Sequence, residues 1–413
     1  MATKKSPSKK KTTTITSKQI VKGAKKMAKN NPKGFMIALL VVFLLVGLGV
    51  GGYFGYKYFI EPRLAGNGGN NQSTSQKTSK SHYEGAAGAI DINFLEVGNQ
   101  YTGDCTFIKA GDKDILIDAG SRQNSATTIA DFVDNYCTDG VLEYVIATHA
   151  HQDHIAGFVG SNNAEGILKH YKIDTLIDFS LTNATTTIYN NYVSIRDEKI
   201  ASGDIAHHYT ANDCIQGTNG AQKVYQLGEG ITMEILDQKF YRETSSDENN
   251  YSVCALFTQG NNNYLFTGDL EAKGEESLAE LNDLPEVELF KGGHHGSYTA
   301  NTDKLLSEIK PKNVCVCCCA GSDEYVKSSG GLPNSEHTFP AQEAVDRIAK
   351  YTSSVYVTTV YSDDDKGYKS MNGNINFHCE DGSEYTITGS NNSVILKDTD
   401  WFKTNRIIPN EWK

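Results

Sequence analysis

The chain is poor in proline, with 8 in 413 residues, and holds only two tryptophans. So little proline excludes a polyproline or collagen-like architecture. Acidic residues are missing from residues 1–34, which carry eleven lysines. Charge of either sign is missing from Gly34 to Tyr56, a run of 23 residues. The remainder lacks an obvious Lys/Arg stripe, which argues against a broad polyanion-binding face. No internal repeat is present, so a solenoid is excluded. Removing the eleven head lysines from the 39 basic residues leaves 28 against 50 acidic ones, a balance of −22. A cationic head therefore precedes an anionic body.

The uncharged run includes Phe35 to Val46, all apolar, and is long enough to span a hydrocarbon core as a helix. Tyr53, Tyr56, Tyr58 and Phe59 gather at its far end like an interfacial aromatic belt. The preceding lysines predict a cytoplasmic N-terminus and an exported body. The basic region is too long, and the apolar run too extended, for a typical cleaved signal peptide. The expected organisation is a basic tail over 1–33, a transmembrane helix over 34–60, a Gly/Asn/Ser/Thr/Lys-rich tether over 61–89, a folded domain over 90–390 and a tail over 391–413. Gly47, Gly51 and Gly55 make overlapping GxxxG spacings that fit a weak helix homodimer.

Nine cysteines are an odd number for a disulfide framework, and four sit in Val314-Cys315-Val316-Cys317-Cys318-Cys319. Neighbours on a strand face opposite ways, so these four cannot share one metal. The run reads as a buried strand using cysteine as a small apolar residue.

The chemistry concentrates in Thr148-His149-Ala150-His151-Gln152-Asp153-His154. This loop follows the apolar run Tyr144–Ala147, which predicts a buried strand. Three imidazoles and a carboxylate at this spacing can curl around two metal ions, His149 and His151 serving one, Asp153 and His154 the other. Paired divalent ions generate hydroxide from water at neutral pH and clamp a displaced oxygen.

Later segments repeat the pattern of an apolar strand running into small and chelating residues. Tyr264-Leu265-Phe266-Thr267-Gly268-Asp269-Leu270-Glu271 ends in a carboxylate able to bridge two ions or to cap the helix predicted over 271–282. Glu288 to Ser297 contains His294 and His295 between glycines. One of these imidazoles is read as a metal ligand, the other as a group that hydrogen-bonds an oxyanion or protonates a leaving group. His337 stands alone before the helix predicted over 340–350 and is a further candidate ligand. Asp118 closes an early strand, placed to hydrogen-bond a ligating imidazole from behind. Residues 161–230 show few clear periods and read as loops over the site.

On these residues the chain resembles the metallo-β-lactamase fold superfamily of binuclear hydrolases. The HxHxDH motif is His149, His151, Asp153 and His154, and Asp269 stands as the bridging acid. Thr267 to Glu271, His294 to Ser297 and Asn334 to His337 resemble elements of the exported hydrolase domain of ComEC-type competence proteins. The resemblance covers most of residues 90–390. It implies an α/β fold, an αββα four-layer sandwich. One ion would take His149, His151, Asp269 and one of His294 or His295. The other would take Asp153, His154, Asp269 and His337. The chain departs from ComEC-type proteins in having one span and no many-helix channel.

The resulting expectation is a single-pass, membrane-anchored, extracellular hydrolase that uses a metal-bridging hydroxide on a phosphodiester, either DNA or a smaller cell-envelope phosphoester. Asp153, His294 and His295 are the expected catalytic residues. Zinc suits the ligands, with manganese or iron as alternatives. Competing readings are a phosphorylcholine-esterase-like or lactone hydrolase and a non-catalytic metal-binding envelope module.

Overall fold

The computed structural model describes residues 88–97, 101–322, 338–362 and 367–413. The basic head 1–33, the predicted span 34–60, all but the last two residues of the tether 61–89, and His337 lie outside them. Among the described residues no helix is long and apolar enough to cross a membrane.

Strands β1 (Ile90–Phe94), β2 (Thr106–Ala110), β3 (Lys113–Ile117) and β4 (Val141–Ile146) come first. A short ribbon, β5 (Gly160–Ser161) and β6 (Ala164–Glu165), precedes β7 (Lys172–Asp178) and β8 (Ile205–Thr210). Then follow β9 (Val224–Gly228), β10 (Ile231–Ile235), β11 (Ala255–Gln259), β12 (Asn262–Phe266), β13 (Leu289–Lys291), β14 (Val314–Ala320), β15 (Val355–Ser362) and β16 (Gly367–Ser370). The closing hairpin is β17 (Ile375–Cys379) with β18 (Tyr385–Gly389).

Two eight-stranded sheets result, ordered β18-β17-β1-β2-β3-β4-β7-β8 and β16-β15-β14-β13-β12-β11-β10-β9. Each sheet is part antiparallel meander and part parallel. Strands β3, β4, β7 and β8 pair in parallel in the first sheet, and β12 to β15 in the second. Parallel neighbours need crossovers, and the crossovers here carry helices such as Ser125–Val133, Gln152–Val159, Ala272–Leu281 and Asp303–Ile309. The carboxyl ends of parallel strands are where α/β sheets present their binding loops. Every motif singled out from the sequence and described here follows such a strand end.

The layers follow from alternation. On β12, Tyr264 and Phe266 join the cluster that fills the space between the sheets, while Leu265 joins the cluster beneath the helices of the second sheet. Phe94 and Phe266 stack at 6.1 Å across the sandwich. On β14, Cys315 and Cys317 point into the first cluster, and Val316 and Cys318 into the second. All nine cysteines are buried and none forms a disulfide, so the cysteine run behaves as an apolar strand. The arrangement is a mixed α/β sandwich of the metallo-β-lactamase kind.

Residues 161–230 depart from the loop expectation. They contribute β7, β8, β9 and the 16-residue helix Thr187–Ser202. That helix buries only Tyr192 and Ile195, and β8 is an edge strand with one fully buried residue. Covered on so little of their surface, this helix and β8 need no hydrophobic period, so no periodic signal marks them. The segment after residue 390 packs on the body: Leu396, Phe402 and Trp412 belong to the second cluster, and Arg406 donates to the carbonyls of Thr338 and Pro340.

Candidate metal centre

The histidine loop leaves β4 and is held by its neighbour β3. Asp118, just past β3 at φ 59°, accepts hydrogen bonds from Thr148 N and Oγ1, both at 2.8 Å. Its Oδ2 also lies 2.8 Å from His154 Nδ1, which leaves Nε2 of that ring for the site. His151 precedes the Gln152–Val159 helix, and Asp153 and His154 lie in its first turn. An acidic side chain there meets the positive end of the helix dipole. A Cβ on Gly120 would sit 1.4 Å from the Asp153 carbonyl oxygen, so only glycine lets the loop after β3 lie this close.

Asp269 arrives from the other sheet, at the end of β12. Its Oδ2 is 2.9 Å from His154 Nε2, 3.1 Å from His295 Nε2 and 3.9 Å from His294 Nε2. Gly268 makes the approach feasible, since a Cβ there would come within 2.9 Å of Ser252 Oγ and Thr148 Cβ, and its φ is 55°. Ser252 Oγ accepts from Asp269 N at 3.1 Å and lies 3.4 Å from His149 Nδ1, tying the two loops together.

The structure separates the two histidines after β13. Both have positive φ, 46° for His294 and 53° for His295, an uncommon conformation outside glycine that clusters at functional sites. His295 turns inward: Nδ1 is 2.8 Å from the Cys317 carbonyl, and Nε2 is 3.3 Å from Asp153 Oδ2. His294 stands to the side, with Nδ1 3.0 Å from Thr299 Oγ1 and 3.5 Å from Glu271 Oε1.

Donor atoms of His149, His154 and Asp269 all fall within 4.8 Å of one another, as do those of Asp153, His154 and His295. His295 thus groups with the Asp153–His154 pair. His151 reaches the cluster through His149, whose Nε2 is 3.0 Å from His151 Nδ1. His337 lies outside the described residues.

The donor set fits divalent ions. Asp269 Oδ1 is buried with no hydrogen bond among the described residues, and His295 Nε2 faces the Asp269 and Asp153 carboxylates at 3.1 and 3.3 Å, a crowding of ligand atoms that suits a shared cation. Burial, and then the His154 and His151 rings, push the pKa of His149 well below its usual value, which keeps it in the neutral, metal-binding form. Burial works against charge on His154 and His295, yet the carboxylate of Asp269, aided by Asp118 and Asp104, pushes both well up. Burial likewise opposes the charge on Asp269, but the surrounding imidazoles hold its carboxyl well below the usual range. Bound cations would replace the imidazole protons, because ligands bind metal deprotonated.

Glu248 and Lys291 had no role in the sequence reading, and Asp104 stood there only as an acidic residue at an early strand end. Glu248 accepts from Ala150 N at 3.3 Å, Thr182 Oγ1 at 2.7 Å and Asn183 N at 2.6 Å, pinning the turn between His149 and His151 to the loop after β7. Asp104 approaches His295, and Lys291 approaches Asp104. No local pattern marks any of them, and lysine is ordinarily exposed.

Asp118→Asn keeps the shape and tolerates the positive φ but weakens the hold on His154 Nδ1. It should lower metal affinity by about 10–100-fold, the usual cost of losing such a partner. Titration with a competing chelator reads this directly, and unchanged affinity would mean Asp118 does not orient the ring.

Residues 98–175 match the Metallo-beta-lactamase superfamily. The chain is 28% identical over 271 residues to Recombination protein 2 of Haemophilus influenzae, covering 65% of this chain and 28% of that protein. It is 25% identical over 181 residues to ComE operon protein 3 of Bacillus subtilis, covering 42% of this chain and 20% of that protein. The chain therefore spans under a third of either curated relative. The metallo-beta-lactamase fold protein YhfI from Bacillus subtilis aligns with 66% of this chain and 96% of its own, at 13% identity and a TM-score of 0.37. The sandwich and the histidine loop thus resemble those of the metallo-β-lactamase superfamily, whose model the segment 98–175 matches, and the sequence is similar to part of these two curated proteins.

Proposed function

We propose that this chain is a membrane-anchored, outward-facing metallohydrolase that cleaves phosphodiesters with two divalent ions, zinc being the first candidate. The observation that carries the reading is the convergence of His149, Asp153, His154 and His295 with the buried Asp269 carboxylate, from the ends of three separate strands, β4, β12 and β13. His151 and His337 complete the proposed ligand set.

Ions held there would supply a water-derived nucleophile at neutral pH and neutralise charge on the phosphoryl oxygens. The chain's own groups do the rest. Asp269 stands between the two ligand groupings and fixes their spacing. Asp153, partly exposed and 3.3 Å from His295 Nε2, orients the attacking water. His294, oriented by Thr299 and Glu271, is placed to move a proton to the leaving oxygen. A cavity of about 590 Å³ opens beside Glu271 and Thr299, within the usual size of ligand sites.

Similarity to a protein named for recombination favours a DNA strand as the substrate. The body balance of −22 favours a smaller cell-envelope phosphoester. Cleavage of single-stranded DNA against a chromogenic phosphodiester by the full-length chain decides. We expect both to be hydrolysed, with DNA cleavage falling steeply as salt rises. Turnover of the small ester alone assigns the smaller substrate. Turnover of lactones with neither phosphodiester, or ion binding with no turnover of any ester, overturns the proposal. The anchor through residues 34–60 predicts retention in the membrane after alkaline extraction.

A further inference from the structure

Lys291 ends β13 and is 3% exposed, although lysine is among the residues least often buried. Its ammonium pairs with Asp104 Oδ2, lies 3.6 Å from Asp269 Oδ1 and donates to the Gly268 carbonyl at 3.1 Å. Asp104 is 2% exposed, and its other oxygen is 3.2 Å from His295 Nδ1. Asp104, Asp269 and His295 by themselves form a grouping with the spacing of a cation site. Two carboxylates this close and this buried do not both stay ionised without positive charge beside them. Here that charge is covalently part of the chain.

We propose that Lys291 is a built-in cation of the metal centre: its ammonium takes the place of a third divalent ion beside Asp104 and Asp269, limits the complement to two, and keeps Asp269 turned toward the histidines. The proposal rests on the two-ion reading of the site. It assigns Lys291 a positioning role, because its ammonium acts through the two carboxylates. Asp104 then stands beside the Cys317 carbonyl at His295 Nδ1, as Asp118 stands at His154 Nδ1, while Nε2 of both rings faces Asp269.

The test is the manganese content of the full-length chain after equilibration and removal of excess ion. Lys291→Met removes the charge and keeps an unbranched stem. The wild-type chain should hold about two ions, and Lys291→Met about three. The added ion should be lost in the double variant Lys291→Met/Asp104→Asn. A folded Lys291→Met chain with no more ions than wild type overturns the proposal, as does a third ion that survives in the double variant. Should Lys291→Met unfold without metal, its melting temperature should climb with manganese more steeply than that of wild type. A chain that stays unfolded at every manganese concentration also overturns the proposal. Fewer than two ions in the wild type sinks the two-ion reading itself. Stoichiometry is measured without substrate, so the two failures are told apart.

Discussion

Asp269→Asn should abolish hydrolysis and strip the centre of at least one ion. The substitution keeps the size of the side chain but removes the charge that both His154 Nε2 and His295 Nε2 face, at 2.9 and 3.1 Å. It also removes the carboxylate common to the proposed ion sites. Losing a single preorganised electrostatic contact already costs on the order of 10²–10³-fold in kcat, so a loss at the upper end or beyond is expected here. Two readouts check it together: kcat/KM on a phosphodiester, and metal content by elemental analysis. Full turnover with both ions retained would end the two-ion mechanism. Lost turnover with both ions retained would move Asp269 from holding metal to orienting water.

The second large effect is on stability. Phe266→Ala should destabilise the protein by about 3–5 kcal/mol, the range for truncating a buried aromatic side chain. Phe266 is 1% exposed, stacks on Phe94 of the opposite sheet and meets Phe257 edge-on at 5.5 Å. It stands three residues before Asp269, so its loss also loosens the strand that delivers the bridging acid. Urea unfolding of the full-length chain should show a lower midpoint at an unchanged slope. Metal affinity should fall alongside, because an ion that binds only the folded state is linked to its stability. A shift under 1 kcal/mol would show that the layer between the sheets repacks and does not set the site.

The sheets were legible where the strands are central and continuous. Val314–Ala320 and Asn262–Phe266 read as buried strands because both their faces are covered, one by the opposite sheet and one by helices. The region 161–230 was illegible because its helix and edge strands are largely solvated. The HxHxDH loop was legible because its ligands are close in sequence and a loop of that composition has few other uses. Asp269 and the His294–His295 pair were legible because each follows an apolar run at a parallel strand end.

The order of residues along the chain sets out the chemistry on offer: imidazoles and carboxylates placed just beyond buried strands, in numbers that suit two divalent ions, behind a cationic head and an uncharged run. Which members of that set meet depends on how the two sheets come together. Adjacency could not rank His294 against His295, because the choice depends on a backbone turn at positive φ that sends one ring to the Cys317 carbonyl and the other to Thr299. Nor could it bring Lys291 to Asp104 or Glu248 to Ala150, pairs that lie 98 or more residues apart in the chain. Contacts of that range are fixed by how two sheets pack, and packing is a property of the whole core.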